Sequence, residues 1–179
     1  MITYSAATTD EELYQILALQ RKNTFQEISS EERKTEGFVT VQHDFNLLKR
    51  MNHACPHSLA KENNTVVGYA LCMHPKFRDS IPILKSMFAE IDRVTASDTI
   101  KKYIVMGQIC IDKEYRGKGI FRKLYENMQQ IINPEFSKII TEVVTTNTRS
   151  LQAHYAIGFK KLSTYKTNES YWDLMYLKQ

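Results

Sequence analysis

Between Tyr103 and Ile132 the chain changes hydrophobic period once, and the change falls on a loop that carries two glycines. Tyr103 to Ile111 is an apolar run of strand length, interrupted at Gly107. A glycine there is expected to mark a bulge or a close approach of backbones. Ile120, Leu124, Met128, Ile131 and Ile132 then recur on one helix face, until Asn133-Pro134 ends the pattern. Ile139 to Thr145 follows as a β-branched strand. This order predicts two parallel strands, near 103–111 and 138–145, joined by a helix at 119–132.

The flanking sequence supplies antiparallel material. Ser58 to Glu62 and Thr65 to Leu71 bracket Asn63-Asn64, a pair that tolerates positive φ, and read as a β-hairpin. Two further strands, about Phe159 to Tyr165 and Tyr171 to Leu177, meet across Thr167-Asn168-Glu169. Ile2-Thr3-Tyr4 suits a short opening strand. Leu13, Ile16 and Leu17 suit a helix with Asp10 as N-cap and Glu11 and Glu12 in its first turn. Phe45, Leu47, Leu48 and Met51 suit another, and Ser29 to Glu36 is either a helix or a loop. Ile83, Leu84, Met87, Phe88 and Ile91 place a helix near 81–93 inside the long Pro75 to Lys102 connection. A short helix from about Thr148 ends at Gly158. The expected class is α+β: one mixed, mostly antiparallel sheet of six or seven strands, with helices on both faces and a central parallel pair.

With 179 residues, 42% of them hydrophobic, the chain can fill one core, and no repeat or linker divides it. A single domain over 1–179 is expected. The net charge of +4, spread along the chain, suits a small anionic ligand and gives no ground for a nucleic-acid partner. No run approaches the ~18 apolar residues of a membrane span. The first ten residues lack the basic start and apolar centre of a secretory signal. Cys55, Cys72 and Cys110 are odd in number and far apart, and are expected to be reduced thiols in a cytoplasmic protein with no membrane partner. His53-Ala54-Cys55-Pro56-His57 offers three zinc-type ligands without an evident fourth, so no metal is expected.

The chemistry concentrates in Asp112 to Arg122. A helix start carries unpaired N–H groups and the positive end of the dipole, and both suit a diphosphate. Gly117 and Gly119 remove side chains that would block its approach, and Arg116, Lys118, Arg122 and Lys123 add positive charge. A dinucleotide fingerprint would need a small residue where Arg122 stands. A Walker A loop would need Ser or Thr where Gly119 stands.

Arg116-Gly117-Lys118-Gly119-Ile120-Phe121 resembles the acyl-CoA loop of the GNAT superfamily, Arg/Gln-x-x-Gly-x-Gly/Ala, with Phe121 in the last place. Asn147 with Ser150-Leu151-Gln152-Ala153-His154-Tyr155-Ala156-Ile157-Gly158-Phe159 resembles that superfamily's second signature. The resemblance covers about residues 103 to 160. It implies acetyl-CoA as co-substrate and direct acetyl transfer to a primary amine of a small molecule or peptide. It also implies a diphosphate held by Arg116, Gly117, Lys118, Gly119, Ile120, Phe121 and Arg122. Backbone near Ile109, Cys110 and Ile111 would pair with the pantetheine amides. Asn147 would hydrogen-bond the same arm, or would simply cap its helix, and Ser150 would also bind the cofactor. Tyr155 would be the general acid that meets the departing sulfur, the alternative being a core tyrosine.

The base is less plain. Tyr103 to Ile111 holds no carboxylate; Gln108 could orient a water but not take a proton. Glu142, a carboxylate in mid-strand, is the candidate, the alternative being an outward-facing glutamate. The Pro75 to Lys102 segment either walls the acceptor cleft, covers the sheet, or mediates contacts in a homodimer. The other functional class open to this sequence is a non-catalytic acyl-CoA-binding or regulatory domain.

Overall fold

The structure, a computed structural model, describes residues 1–24, 39, 41–95, 102–132, 134, 136–167 and 170–179. The helix or loop expected at Ser29 to Glu36, and Asn168 and Glu169 of the last turn, lie outside the described residues. Seven strands, β1 (Ile2–Ala6), β2 (Ser58–Glu62), β3 (Thr65–Met73), β4 (Tyr103–Ile111), β5 (Lys138–Val144), β6 (Lys160–Thr167) and β7 (Ser170–Lys178), form one sheet in the order β1-β2-β3-β4-β5-β7-β6. The described helices are α1 (Asp10–Lys22), α2 (Phe45–Ala54), α3 (Lys85–Thr95), α4 (Ile120–Ile131) and α5 (Thr148–Ala156). β4 and β5 pair in parallel, while β1–β2, β2–β3, β5–β7 and β6–β7 pair antiparallel. The class is α+β with a mixed sheet. Contacts divide the chain into two compact units, Met1–Met73 with Gly107–Ile132, and His74–Met106 with Asn133–Gln179.

In the first unit, Asn63 and Asn64 have φ values of 48° and 68°, the left-handed pair that a two-residue hairpin turn needs. Helices cover both faces of β3, which is why it reads as an apolar run. Tyr69 and Leu71 join a cluster with Leu13, Ile16 and Leu19 of α1 and Leu48 of α2. Gly68 faces the other way, where a Cβ would stand 3.5 Å from Ile120 of α4. Polar groups fix α4 there: Asn127 Nδ2 donates to Ser5 O at 3.0 Å and to Ser58 Oγ at 2.8 Å, and Ser58 Oγ donates to Leu124 O at 2.8 Å.

One local expectation needs correction in this unit. The N-cap of α1 is Thr9, not Asp10. Thr9 Oγ1 accepts from Glu12 N at 3.2 Å while Glu12 Oε2 accepts from Thr9 N at 3.0 Å. This reciprocal box satisfies two amides at once, which a lone Asp10 cap would not. β4 continues as strand through Gly107, where an added Cβ would lie 3.8 Å from Met73, an ordinary contact.

In the second unit, the parallel ladder pairs Tyr103, Ile104 and Val105 with Lys138, Ile139 and Ile140. Just beyond it, Thr141 Oγ1 donates to Met106 O at 3.0 Å. The helix expected near 81–93 is shorter. Pro82–Leu84 forms a 3-10 turn that leaves Ile83 exposed, and α3 begins at Lys85 with Met87, Phe88 and Ile91 buried. Leu84 N donates to Ile81 O at 3.0 Å, the i→i+3 bond that tightens this first turn, with Pro82 at its first position. α3 packs on β6. No helix among the described residues is long and apolar enough to cross a membrane.

Candidate active site

The first unit carries the glycine loop. Asp112 caps a 3-10 turn at Lys113–Tyr115, its side chain accepting from Glu114 N at 3.2 Å. Arg116 then turns back on the chain: its Nε donates to Ile111 O at 3.1 Å and its Nη2 to Asn23 Oδ1 at 2.7 Å. Gly117 and Gly119 adopt φ of +74° and +77°, and a Cβ on either would meet no heavy atom within 4 Å. The backbone is therefore bent at two points and bare at both. Gly119 is the N-cap of α4, no side chain caps that end, and no acidic residue stands in the first turn.

Such a helix start presents amides without intrahelical acceptors, together with the positive end of the dipole. Lys118 Nζ lies 4.9 Å from the Tyr115 ring, and Tyr115 in turn donates to Glu62 Oε2 at 2.7 Å. Phe121 packs edge-on against Tyr125 at 5.3 Å, along its own helix, while Ile120 is buried beneath the loop. Bent bare backbone, uncapped amides and nearby cations fit a diphosphate.

The end of β4 is more occupied than its sequence suggests. Gln108 Oε1 accepts from Tyr69 Oη at 2.7 Å and from Gln20 Nε2 at 2.9 Å, and Gln108 Nε2 donates to Val41 O at 2.9 Å. Both lone pairs of its oxygen are engaged, so Gln108 is a strut between β4, α1, β3 and Val41. Ile109 and Ile111 are partly exposed, whereas Cys110 is buried and its thiol is pushed up to about 11 by that burial.

The second unit carries the other signature. Asn147 is the N-cap of α5, its Oδ1 accepting from Ser150 N at 3.0 Å. His154 is buried against Phe159; burial pulls its pKa down to about 4, and its Nδ1 donates to Ser150 O at 2.7 Å. With His154 turned inward, the next residue, Tyr155, is 43% exposed and is not a core tyrosine.

Glu142 is half-buried in mid-strand and sits opposite Leu174 of β7. Burial pushes its carboxyl up to about 7, against the pull of the Tyr165 hydroxyl, which donates to Oε2. Tyr165 is raised above the ordinary phenol range by burial and by the charge of Glu142. The sequence did not single out Tyr165, Asn23, Gln20 or Tyr69, since each matters through a partner on a distant strand or helix.

The His53 to His57 motif is the end of α2 and the turn that follows it, with His53 exposed and Cys55 and His57 buried. His57 is fully buried, its Nδ1 accepting from Cys72 N at 3.2 Å and its Nε2 meeting Leu48 O at 3.3 Å. Burial pulls its pKa down to about 3. Among the described residues no group of three His, Cys, Asp or Glu side chains could hold a metal ion.

A sequence model of the acetyltransferase (GNAT) family matches residues 11–159, and the chain belongs to that family. No curated protein matches the sequence. Among solved structures, the ribosomal-protein-S18-alanine N-acetyltransferase of Escherichia coli is similar at a TM-score of 0.65 and 12% identity, covering 99% of this chain and 94% of that one. The NatC complex bound to a Gag peptide and CoA gives 0.66 and 17%, covering 99% and 98%. YncA of Salmonella typhimurium with its cofactor acetyl-CoA gives 0.64 and 14%, covering 99% and 94%. At these identities the likeness is one of fold.

Proposed function

We propose that the chain, acting as one domain over 1–179, is an acetyl-CoA-dependent N-acetyltransferase that acetylates a primary amine of a small molecule or peptide. The observation that carries this is the uncapped start of α4, with positive-φ Gly117 and Gly119 open to solvent, in a chain of the acetyltransferase family. The amides of residues 117 to 122, with Arg116 and Lys118 beside them, hold the diphosphate. Backbone groups of Ile109, Cys110 and Ile111 pair with the pantetheine arm by strand addition. Asn147 Oδ1 accepts one bond in its cap, which leaves its second lone pair and Nδ2 for that arm, with Ser150 beside it. When bound, acetyl-CoA supplies an activated acetyl thioester.

Glu142 accepts a proton from the acceptor ammonium; the freed amine forms the C–N bond as the C–S bond breaks, the Tyr155 hydroxyl gives its proton to the departing sulfur, and the second proton lost from the nitrogen restores that hydroxyl. A carboxyl titrating near 7 suits a base that works at neutral pH. Two of the three thiols support direct transfer. Cys110 is pushed up to about 11 and Cys72 is raised well above its ordinary value, in both cases chiefly by burial, so neither is a ready nucleophile. Cys55, Cys72 and Cys110 as free thiols suit a reducing, cytoplasmic compartment.

The test is release of free CoA from acetyl-CoA across a panel of small amines and peptides, with the product identified by mass. Tyr155→Phe is expected to lower kcat more than it raises the KM for acetyl-CoA. CoA binding without transfer to any amine would favour a non-catalytic acyl-CoA-binding domain. Acetylated Cys110 would favour a covalent route.

A further inference from the structure

We infer that Tyr165 is a positioning residue: its hydroxyl holds Glu142 Oε2 and leaves Oε1 as the oxygen that takes the acceptor's proton. The inference rests on Glu142 being the base in the reaction proposed above.

Strand register makes the pairing possible. Glu142 faces Leu174 of β7, and Leu174 faces Ser163 of β6. The β6–β7 register shifts between Lys161 and Ser163, so Leu162 is an extra residue in β6. Without that bulge Leu162 would face Leu174, and Tyr165 would point to the opposite side of the sheet. With it, Tyr165 pairs with Trp172, which faces Val144, and so shares a face with Glu142. Two strand spacings, roughly 10 Å, separate the backbones. A tyrosine and a glutamate leaning toward each other span that distance, and the hydroxyl meets Oε2. Among the described residues, Oε2 is the only Glu142 oxygen with a partner.

Other charged groups stand farther off on this face. Lys138 of β5 aligns with Tyr103 of β4 and lies over the ring of Tyr176 on β7, and Lys160 of β6 aligns with Tyr176. From α3, Glu90 is paired with Arg93 at 2.6 Å, and its charge acts on Tyr165. None of these groups bonds Glu142; Tyr165 does. Burial and the neighbouring carboxylates keep the phenol protonated, so it stays a donor throughout. Its hydrogen bond favours the ionised carboxylate and opposes the effect of burial. The accepted proton forms an O–H bond at Oε1 as the N–H bond of the ammonium breaks. It then leaves to solvent, and Tyr165 keeps its own.

Tyr165→Phe in the full chain tests this. Carboxyl carbons of ¹³C-labelled glutamate report the Glu142 titration by NMR without substrate, with Glu142→Gln identifying the resonance. The titration should move to higher pH by about one pH unit when the donor is removed, and the acid limb of kcat/KM should move with it. If Tyr165→Phe fails to fold, replacing tyrosine by 3-fluorotyrosine strengthens the donor and should move both downward. A Glu142 titration that stays in place overturns the role of Tyr165 and leaves the base assignment standing. A titration that moves while the acid limb does not removes Glu142 as base, and the positioning role with it.

Discussion

Asn23 Oδ1 accepts a hydrogen bond from Arg116 Nη2 at 2.7 Å, so the C-terminal cap of α1 holds the first side chain of the glycine loop. Asn23 Nδ2 also donates to Leu19 O at 2.9 Å, which fixes the amide's orientation. Asn23→Ala removes both bonds. Stability should fall by about 1–2 kcal/mol, and the KM for acetyl-CoA should rise several-fold with kcat nearly unchanged. Thermal melts and initial rates measure the two effects. An unchanged KM would show that this anchor does not shape the loop.

Glu142 should cost stability at neutral and higher pH. Its folded pKa of about 7 lies above the ordinary 4.5 because of burial. Between these values the folded state holds more protons than the unfolded state, so stability falls as pH rises through the window. Glu142→Gln should therefore stabilise the protein at pH 8 by about 2 kcal/mol, with no gain below pH ~4. The same variant should lose most of its turnover. Denaturant melts at the two pH values check the sign.

Glu12 has the opposite sign. Burial alone would raise its carboxyl, but Lys61 at 2.6 Å and the Thr8 and Thr9 amides outweigh it and bring the value to about 2. That stabilisation is present above the ordinary carboxylate range and is lost as pH falls toward 2. Glu12→Gln should cost about 2 kcal/mol at pH 7 and little at pH 2, by comparison of melts.

Much of the fold was legible because its signals are local. The period of Ile120 to Ile131 and the positive-φ pair Asn63-Asn64 each need only neighbouring residues, and so does the glycine pair opening α4. The Thr9-x-x-Glu12 box was equally local, and the acidic run from Asp10 obscured it. Ile83 fitted helical spacing, yet it lies in the 3-10 turn that precedes α3. The surroundings of Glu142 were not legible. They depend on one extra residue in β6 that reverses which face Tyr165 takes, and alternation along KKLSTYKT does not reveal it. Gln108 likewise looked available because its three partners lie on α1, β3 and the segment before α2.

Gly119→Asp probes whether the start of α4 holds the diphosphate of CoA. Any side chain at φ +77° carries strain of about 1–2 kcal/mol, so Gly119→Ala serves as the control for backbone strain. Calorimetric titration with CoA should show binding by the native chain, weakened binding by Gly119→Ala and none by Gly119→Asp, with all three folded. Absence of binding by the native chain, or equal binding by all three, would contradict the account.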